Sequence, residues 1–211
     1  MKKKLKCFAM VFFFGMVIAG SALAGGSIKT NAEYVDLDKG KGFWIYNVEG
    51  SLPLTDRVNI GFDSDMMPET DYQQLSFYGT YEVSDGFNLL AGGSTNSNGA
   101  DHIRVGTSFF KAVGKFSCFI ASDYYIAVSD EAVGYLDLFT DIKYQVNDKF
   151  AVSITGFWDP AENGTSFALA GPAVEYLFSE SLTAIGRLSR CTDFKGNGGW
   201  AYKLYLVFSG K

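Results

Sequence analysis

The sequence predicts an all-β protein that folds as a single antiparallel transmembrane β-barrel. Three observations lead to this prediction: apolar and polar residues alternate, clusters of turn-forming residues interrupt the alternation, and charged residues occupy the middle of the polar face. Leu75, Phe77 and Tyr81, for example, alternate with Ser76 and Thr80. A period of two places successive side chains on opposite faces of a strand, whereas a helix would show a period of about 3.6 residues.

Eleven strands are evident, and their parity predicts a twelfth. If the chain ends on the side of the short connections, the segment 43–52 must start on the opposite side, so an earlier strand has to lead to it. The segment 27–35 fits, because Ile28, Thr30 and Tyr34 alternate there with Lys29 and Glu33. We predict twelve strands, with ten or fourteen as the alternatives. The predicted strands cover residues 27–35, 43–52, 57–63, 74–83, 87–95, 102–112, 115–128, 134–146, 149–158, 166–178, 182–191 and 200–208.

The predicted connections are of two kinds that alternate along the chain. The short ones contain residues 55–56, 84–86, 113–115, 147–149 and 179–181. The longer or more acidic ones contain residues 63–72, 96–101, 129–133, 159–165 and 192–199. This asymmetry is typical of membrane barrels with tight turns on one side and longer loops on the other.

The amino terminus predicts export. Lys2, Lys3, Lys4 and Lys6 precede an apolar run, and small residues follow at the positions that a signal peptidase recognises, up to Ala24. We therefore expect a cleaved signal peptide over residues 1–24 and one barrel domain over residues 25–211. The 211-residue chain has 18 basic and 23 acidic residues, and removal of the four lysines leaves a formal charge of −9. An acidic chain without a basic patch argues against nucleic acid as a partner.

The distribution of charged and aromatic residues indicates which face points outward. A soluble barrel places its apolar face inside, whereas a membrane barrel places it outside. Aromatic residues near the strand ends suit two interfacial girdles, as with Phe43, Trp44, Trp158 and Phe178. The opposite face carries charges in mid-strand, which we predict to line a pore. These residues are Glu49, Arg104, Asp123, Asp137, Asp141, Lys143, Glu175, Arg187 and Lys203.

The last strand resembles the final strand of Gram-negative outer-membrane proteins, which alternates aromatic residues and ends in Phe or Trp. The matching residues are Trp200, Tyr202, Leu204, Leu206 and Phe208. The resemblance implies recognition by the barrel-assembly machinery, passage through the periplasm, and a final location in the outer membrane among its lipids and lipopolysaccharide. Residues 209–211 follow the Phe, and Lys203 stands where the family often has Gly.

The sequence also contains two candidate sites other than a pore. The single histidine, His102, follows Asp101, and Ser97 or Ser108 could supply the hydroxyl of a rim lipid hydrolase. The predicted loop 63–71 contains four carboxylates, which are ligands for Ca²⁺ or Mg²⁺. No nucleophile motif and no calcium-loop pattern accompanies them, so we assign no catalytic residue, metal or cofactor.

The mid-strand charges allow two functions. Either they line a water-filled pore for small hydrophilic solutes, or they pair in a closed network that fills a narrow barrel. Small residues on the polar face, such as Gly61, Gly92, Gly106 and Ala121, should leave room for water. We expect a porin-like, weakly cation-selective channel. The alternatives are a non-conducting structural or surface-interaction barrel and, third, the rim hydrolase. Cys118 and Cys191 are predicted to lie at opposite ends of their strands and to remain free thiols.

Overall fold

A computed structural model describes residues 25–210, which form one closed barrel of twelve antiparallel strands. The predicted strand number and barrel class are confirmed. The predicted signal peptide, residues 1–24, lies outside the described residues. The strands are β1 (Ser27–Leu37), β2 (Phe43–Pro53), β3 (Val58–Met67), β4 (Tyr72–Ser84), β5 (Phe87–Asn96), β6 (Asp101–Val113), β7 (Phe116–Ala127), β8 (Tyr135–Asn147), β9 (Phe150–Pro160), β10 (Ser166–Ser179), β11 (Leu182–Thr192) and β12 (Gly198–Ser209).

Pairing of the first and last strands closes the barrel. β1 pairs with β12 from Ser27 opposite Ser209 to Leu37 opposite Gly199, and every other strand pairs with its neighbours in the chain. Closure satisfies the backbone hydrogen bonds of every strand and leaves no open sheet edge. The segment 27–35 was predicted as a strand because an even number of strands was required. In the structure it is β1, the strand that completes the sheet. Within residues 25–210, no helix is long and apolar enough to cross a bilayer.

The connections divide the barrel into two ends. At the turn end, where β1 begins and β12 finishes, the connections are residues 54–57, 85–86, 114–115, 148–149 and 180–181. At the loop end they are residues 38–42, 68–71, 97–100, 128–134, 161–165 and 193–197. Gly86 shows why a tight turn needs glycine: its φ is +75°, and a Cβ there would lie 2.0 Å from the Phe110 carbonyl oxygen.

The loops at the loop end are held by their own hydrogen bonds. In the loop 193–197, the backbone N–H groups of Asn197 and Lys195 donate to the Asp193 carboxylate at 2.9 and 2.8 Å and lower the pKa of that group. The short 3₁₀ helix Pro68–Thr70 occupies most of the connection between β3 and β4.

The outer face of the barrel is apolar and the inner face is polar. In β6, Ile103 is 49% exposed on the outer face, while Arg104 on the inner face keeps 12% of its side-chain surface accessible. The same alternation runs through the other strands and leaves Phe77, Ile142 and Leu204 exposed outside. An apolar exterior around a charged interior is the arrangement of a membrane barrel rather than of a soluble one.

The largest error in the predicted strand ends concerns β3. The segment 63–71 was predicted as an acidic loop, but β3 continues to Met67 and pairs with β4 as far as Tyr72. Asp63 and Asp65 therefore lie within a strand on the inner face, and only residues 68–71 form the loop.

Both Cys118 and Cys191 are free thiols, as predicted.

The inner face also has a small apolar core. Val35, Leu169, Cys191 and Ala201 are buried together, and Phe157 and Phe167 are among the partly buried residues that pack against them. These residues come from β1 and β9–β12 and lie toward the loop end. Because the packing fills that side of the barrel mouth, open space at the loop end is left on the side of β3–β9.

Candidate functional site: the barrel interior

The nine residues that the sequence predicted as pore-lining all lie on inner-face positions of their strands. They come from β2, β6, β7, β8, β10, β11 and β12. Closure of the barrel brings them into one interior at three levels. Asp137 lies toward the loop end, Arg104 and Lys203 lie near the middle, and Glu175 lies toward the turn end.

Arg104 is the centre of the most tightly packed group. Its Nη1 contacts the Asp63 Oδ2 at 2.5 Å, and its Nη2 contacts the Asp123 Oδ2 at the same distance. The guanidinium also lies over two rings, 4.7 Å from the centroid of Tyr78 and 5.3 Å from that of Tyr125. Arg104 therefore joins β3, β4, β6 and β7 through charge-assisted hydrogen bonds and cation–π contacts. The sequence predicted Arg104 and Asp123 as lining residues, but it placed Asp63 at the end of its strand, where the predicted acidic loop begins.

The sequence suggested that the small residues around Arg104 leave room for water. The structure shows that neighbouring groups fill the space beside three of them, Gly61, Gly92 and Gly106. A Cβ at Gly106 would lie 1.9 Å from the Asp123 Oδ1, and one at Gly61 would lie 2.6 Å from the Tyr78 ring. A Cβ at Gly92 would lie 2.2 Å from the Phe77 carbonyl oxygen. The absence of side chains at these positions makes space for the residues around Arg104.

A second group of charges lies on β12, β1 and β2. Lys203 contacts Glu33 at 2.8 Å, and Lys29 forms an ion pair with Glu49. The cationic groups of Lys203 and Lys29 lie 5.0 and 5.3 Å from the centroid of the Tyr205 ring, which stands between the two pairs. Lys29 and Glu33 were not among the predicted lining residues. The sequence could have identified them, since the polar face of β1 consists of Lys29, Asn31 and Glu33.

The third group is on β8, β10 and β11. Lys143 Nζ lies 2.5 Å from the Glu175 Oε2, across the intervening strand β9. Arg187 stacks over Phe139 and Tyr205, with centroid distances of 5.4 and 5.3 Å. Within residues 25–210, the buried Arg187 Nε and Asp141 Oδ1 have no hydrogen-bond partner. These are two polar atoms whose remaining partner would have to be water or a solute.

All of these ion pairs follow the wall of the barrel. Lys203–Glu33 and Lys29–Glu49 join adjacent strands, Lys143–Glu175 joins strands two positions apart, and Arg104–Asp63 joins strands three positions apart. In a twelve-stranded barrel the opposite wall is six strands away. Within the described chain, none of these pairs therefore crosses the interior.

Ion pairs toward the turn end remain accessible to water. Lys29 and Glu49 keep 35% and 37% of their side-chain surface accessible, and Lys143 and Glu175 keep 29% and 26%. The barrel encloses these side chains, so their accessible surface faces the interior. The interior toward the turn end is consequently wide enough to admit water, whereas the Arg104 group is packed more closely.

A cavity of about 530 Å³ lies at the loop end above the Arg104 group, and we call it the vestibule. Four carboxylates and five aromatic rings are part of its lining. The carboxylates are Asp65, Glu131, Asp137 and Asp159, and the rings are Tyr72, Tyr125, Tyr135, Phe157 and Phe167. Asp137 was predicted from the sequence, but Asp65 and Asp159 were assigned to loops. The alternation with period two could have predicted both residues, because each is the next inner-face position after the end of its predicted strand.

A hydrogen bond spans part of the vestibule. Gln74 Nε2 donates to the Tyr135 hydroxyl at 3.2 Å, which links β4 with β8. The Tyr72 hydroxyl in turn donates to the Gln74 Oε1 at 2.6 Å. Tyr135 stacks on Tyr125 with ring centroids 4.2 Å apart. The positions of these three tyrosine rings are therefore fixed by their neighbours.

His102 is part of the vestibule wall and is buried, with 8% of its surface exposed. Its Nε2 lies 3.0 Å from the Val133 carbonyl oxygen. The Ser97 hydroxyl donates to the Asp71 carbonyl oxygen and accepts from the Gln73 N–H. Among residues 25–210, neither Ser97 nor Ser108 hydrogen-bonds to His102. The serine–histidine contact that a hydrolase requires is not formed here.

The residues proposed as an assembly signal share the outer face of β12. Trp200, Tyr202, Leu204, Leu206 and Phe208 are all exposed, and Lys203 between them points inward to Glu33. Phe208 stands opposite Ile28 of β1 and Leu182 of β11. The lysine that departs from the family pattern is thus explained by its partner inside the barrel.

Comparison with solved structures shows the class of fold. The KdgM porin superposes with a TM-score of 0.61 at 10% sequence identity, covering 88% of this chain and 99% of the other. The NanC porin gives 0.59 at 11% identity, with 86% and 99% covered. The translocator domain of the autotransporter NalP from Neisseria meningitidis gives 0.57 at 11% identity, with 96% and 97% covered.

The described chain therefore has the fold of the outer-membrane β-barrel proteins, as the last strand indicated. No protein-family model matches the sequence, and no curated protein matches it either. Porins and an autotransporter domain share this fold, so the fold alone does not determine what the interior does.

Proposed function

We propose that the protein is a small porin-like channel of the outer membrane, reached after export through the periplasm, with a weak preference for cations. One observation carries the proposal: the ion pairs of the interior follow the wall, and those toward the turn end stay accessible to water. A plug of salt bridges would instead join opposite walls and exclude water from the charged groups. The unpartnered polar atoms of Arg187 and Asp141 also suit an interior that holds water.

The preference for cations follows from the distribution of charge. Lys29, Lys143, Lys203 and Arg104 each have a carboxylate partner, so their field is largely compensated. Within residues 25–210, Asp65, Asp137 and Asp159 have no cation within salt-bridge distance. The uncompensated charge along the path is therefore negative. It is partly opposed by Arg187, which keeps the expected selectivity small.

The solutes proposed are small and hydrophilic. A KdgM porin structure was determined in complex with oligogalacturonate, a chain of carboxylated sugars. The carboxylates of the vestibule would repel such an anion at close range. We therefore do not propose oligogalacturonate as a solute of this protein.

The alternative function is a non-conducting structural or surface-interaction barrel. The tight packing around Arg104 and the apolar core beside the vestibule favour it, because the first narrows the interior at mid-height and the second narrows it at the loop end. In either case the proposed partners are outer-membrane lipid, lipopolysaccharide and, during biogenesis, the barrel-assembly machinery. We propose no catalytic role, since His102 serves as a wall residue.

Conductance in a planar bilayer tests the proposal. Purified mature protein, residues 25–211, should give discrete current steps, and a gradient of KCl should produce a reversal potential displaced toward cations. Selectivity should decline with rising salt, because exposed charges are screened over about 10 Å at 0.1 M ionic strength. Correctly folded, heat-modifiable protein that inserts without producing current would favour the structural alternative.

A further inference from the structure

The vestibule has the dimensions of a ligand site. Its volume of about 530 Å³ lies within the range of about 300–1,000 Å³ that small-molecule sites occupy. It opens at the loop end, and the group around Arg104 lies beneath it. A solute that enters the barrel from the loop end would meet this cavity first.

Uncompensated negative charge is concentrated there. Asp65, Asp137 and Asp159 all line this cavity, and the Arg104 group lies beneath them. Arg104 is already bound to Asp63 and Asp123. The Asp65 Oδ1 accepts a hydrogen bond from Asn47 at 3.0 Å, which leaves its charge in place. A bound cation would relieve this repulsion, whereas a bound anion would increase it.

The polar wall beneath the vestibule also leaves a hydrogen-bonding group unused. Ser94 lies on the inner face of β5, next along that face from Asn96, whose side chain lines the vestibule. It is 7% exposed, and its hydroxyl has no hydrogen-bond partner within the described chain. Ser94 is not part of the cavity lining, so an ordered water beneath the cavity would satisfy this hydroxyl.

Aromatic rings also line the cavity, and they distinguish an organic cation from a metal ion. Tyr125 already accepts the guanidinium of Arg104 on one side, which shows that the rings of this wall bind cationic groups. Tyr72, Tyr135 and Phe167 offer further ring surface to the cavity. Within residues 25–210, no three side chains of the types that ligate metals are arranged to hold an ion.

We propose that the vestibule binds small organic cations, in which an amine or a quaternary ammonium group is attached to an apolar ring. Asp137 and Asp159 attract the charge, and the aromatic wall packs against the ring. The inference rests on the proposed channel, because the bound cation is taken to be a solute on its way into the interior. The binding step itself can be measured without any current.

Isothermal titration calorimetry of the purified mature protein in detergent tests the site. The probes are benzyltrimethylammonium, benzyl alcohol and benzoate, which share a ring and differ in charge. Benzyltrimethylammonium should bind at least about tenfold more tightly than the other two, a difference of about 1.4 kcal/mol. Equal binding of all three, or no binding of the cation, would overturn the proposal.

Variants separate charge from packing. Asp137→Asn with Asp159→Asn should weaken binding of benzyltrimethylammonium about tenfold. The matched control is Glu82→Gln, which removes an inner-face carboxylate at the turn end and should leave binding unchanged. Tyr72→Leu should weaken benzyltrimethylammonium about threefold through the lost cation–π contact. A double variant that folds normally and binds as the parent does would contradict the assignment of the carboxylates.

The two proposals fail in different ways. Binding without conductance would refute the channel and retain the vestibule as a cation site at the barrel mouth. Conductance without binding would retain the channel and refute the site.

Discussion

Gln74 and Tyr135 are joined by a hydrogen bond of 3.2 Å between strands β4 and β8, which stand four positions apart in the barrel. Most other contacts of the interior join strands that lie closer together. The bond therefore holds a glutamine side chain across part of the vestibule, at the level where a solute would enter.

Removal of this side chain should widen the mouth. Gln74→Ala should increase single-channel conductance and reduce stability by about 1 kcal/mol, the usual net contribution of one hydrogen bond. Tyr135→Phe removes the same bond but keeps the stacked ring, so it should have a smaller effect on conductance. Gln145→Ala, which truncates an inner-face glutamine at the turn end, serves as the control. Unchanged conductance in Gln74→Ala would show that the mouth does not limit the current.

Carboxylates of β8 should determine part of the selectivity. Asp137→Asn with Asp141→Asn should move the reversal potential toward anions without unfolding the barrel. Asp85→Asn with Asp148→Asn removes two exposed charges from the turns and should produce a smaller shift. If the interior is instead a packed network, the parent should be silent in the bilayer.

Arg104 should be the charged residue whose loss costs most stability. Arg104→Met leaves Asp63 and Asp123 without their cation in a closely packed part of the interior, and we expect a loss of about 3–5 kcal/mol. Lys111→Met is the control, since Lys111 and Asp85 are 57% and 96% exposed and 3.7 Å apart. Such a pair contributes about 0–1 kcal/mol. Urea-induced unfolding in lipid vesicles measures both, and equal losses would contradict the structural role of Arg104.

The two ends of the barrel predict the topology in cells. Epitope tags inserted after Asn98 or Asn163 lie in loop-end connections and should be labelled on intact cells. Tags after Asp85 or Asp148 lie in the turns and should be labelled only after the outer membrane is permeabilised. The opposite pattern of labelling would show that the barrel is inserted the other way round.

Assembly should depend on the outer face of β12. Phe208 lies opposite Ile28 of β1, in the strand pair that closes the barrel. Phe208→Ala, or truncation from Leu206 onward, should therefore leave the protein in the periplasm for degradation, which cell fractionation and heat-modifiability on gels would detect. Normal amounts of heat-modifiable Phe208→Ala protein in the outer membrane would argue against an assembly signal in this strand.

The sequence by itself determined the barrel class, the number of strands and the inner-face positions of the charged residues. The reason is that alternation with period two is a local property: each residue's face follows from its neighbours in the same strand. Even β1 could be predicted, because parity requires a strand there. The inward position of Lys203, which departs from the family pattern, also follows from the alternation alone.

Only the tertiary structure decided where the strands end and which residues meet across the barrel. Asp63 and Asp65 resemble loop residues, since carboxylates are common in loops, but pairing of β3 with β4 extends the strand and turns both toward the interior. The partners Arg104 and Asp63 are 41 residues apart in the sequence, which is much farther than the length of any one strand. Gly61 and Gly106 suggested open space, yet Tyr78 and Asp123 fill it. Local pattern determines the face of a residue, whereas strand register and barrel closure determine its neighbours.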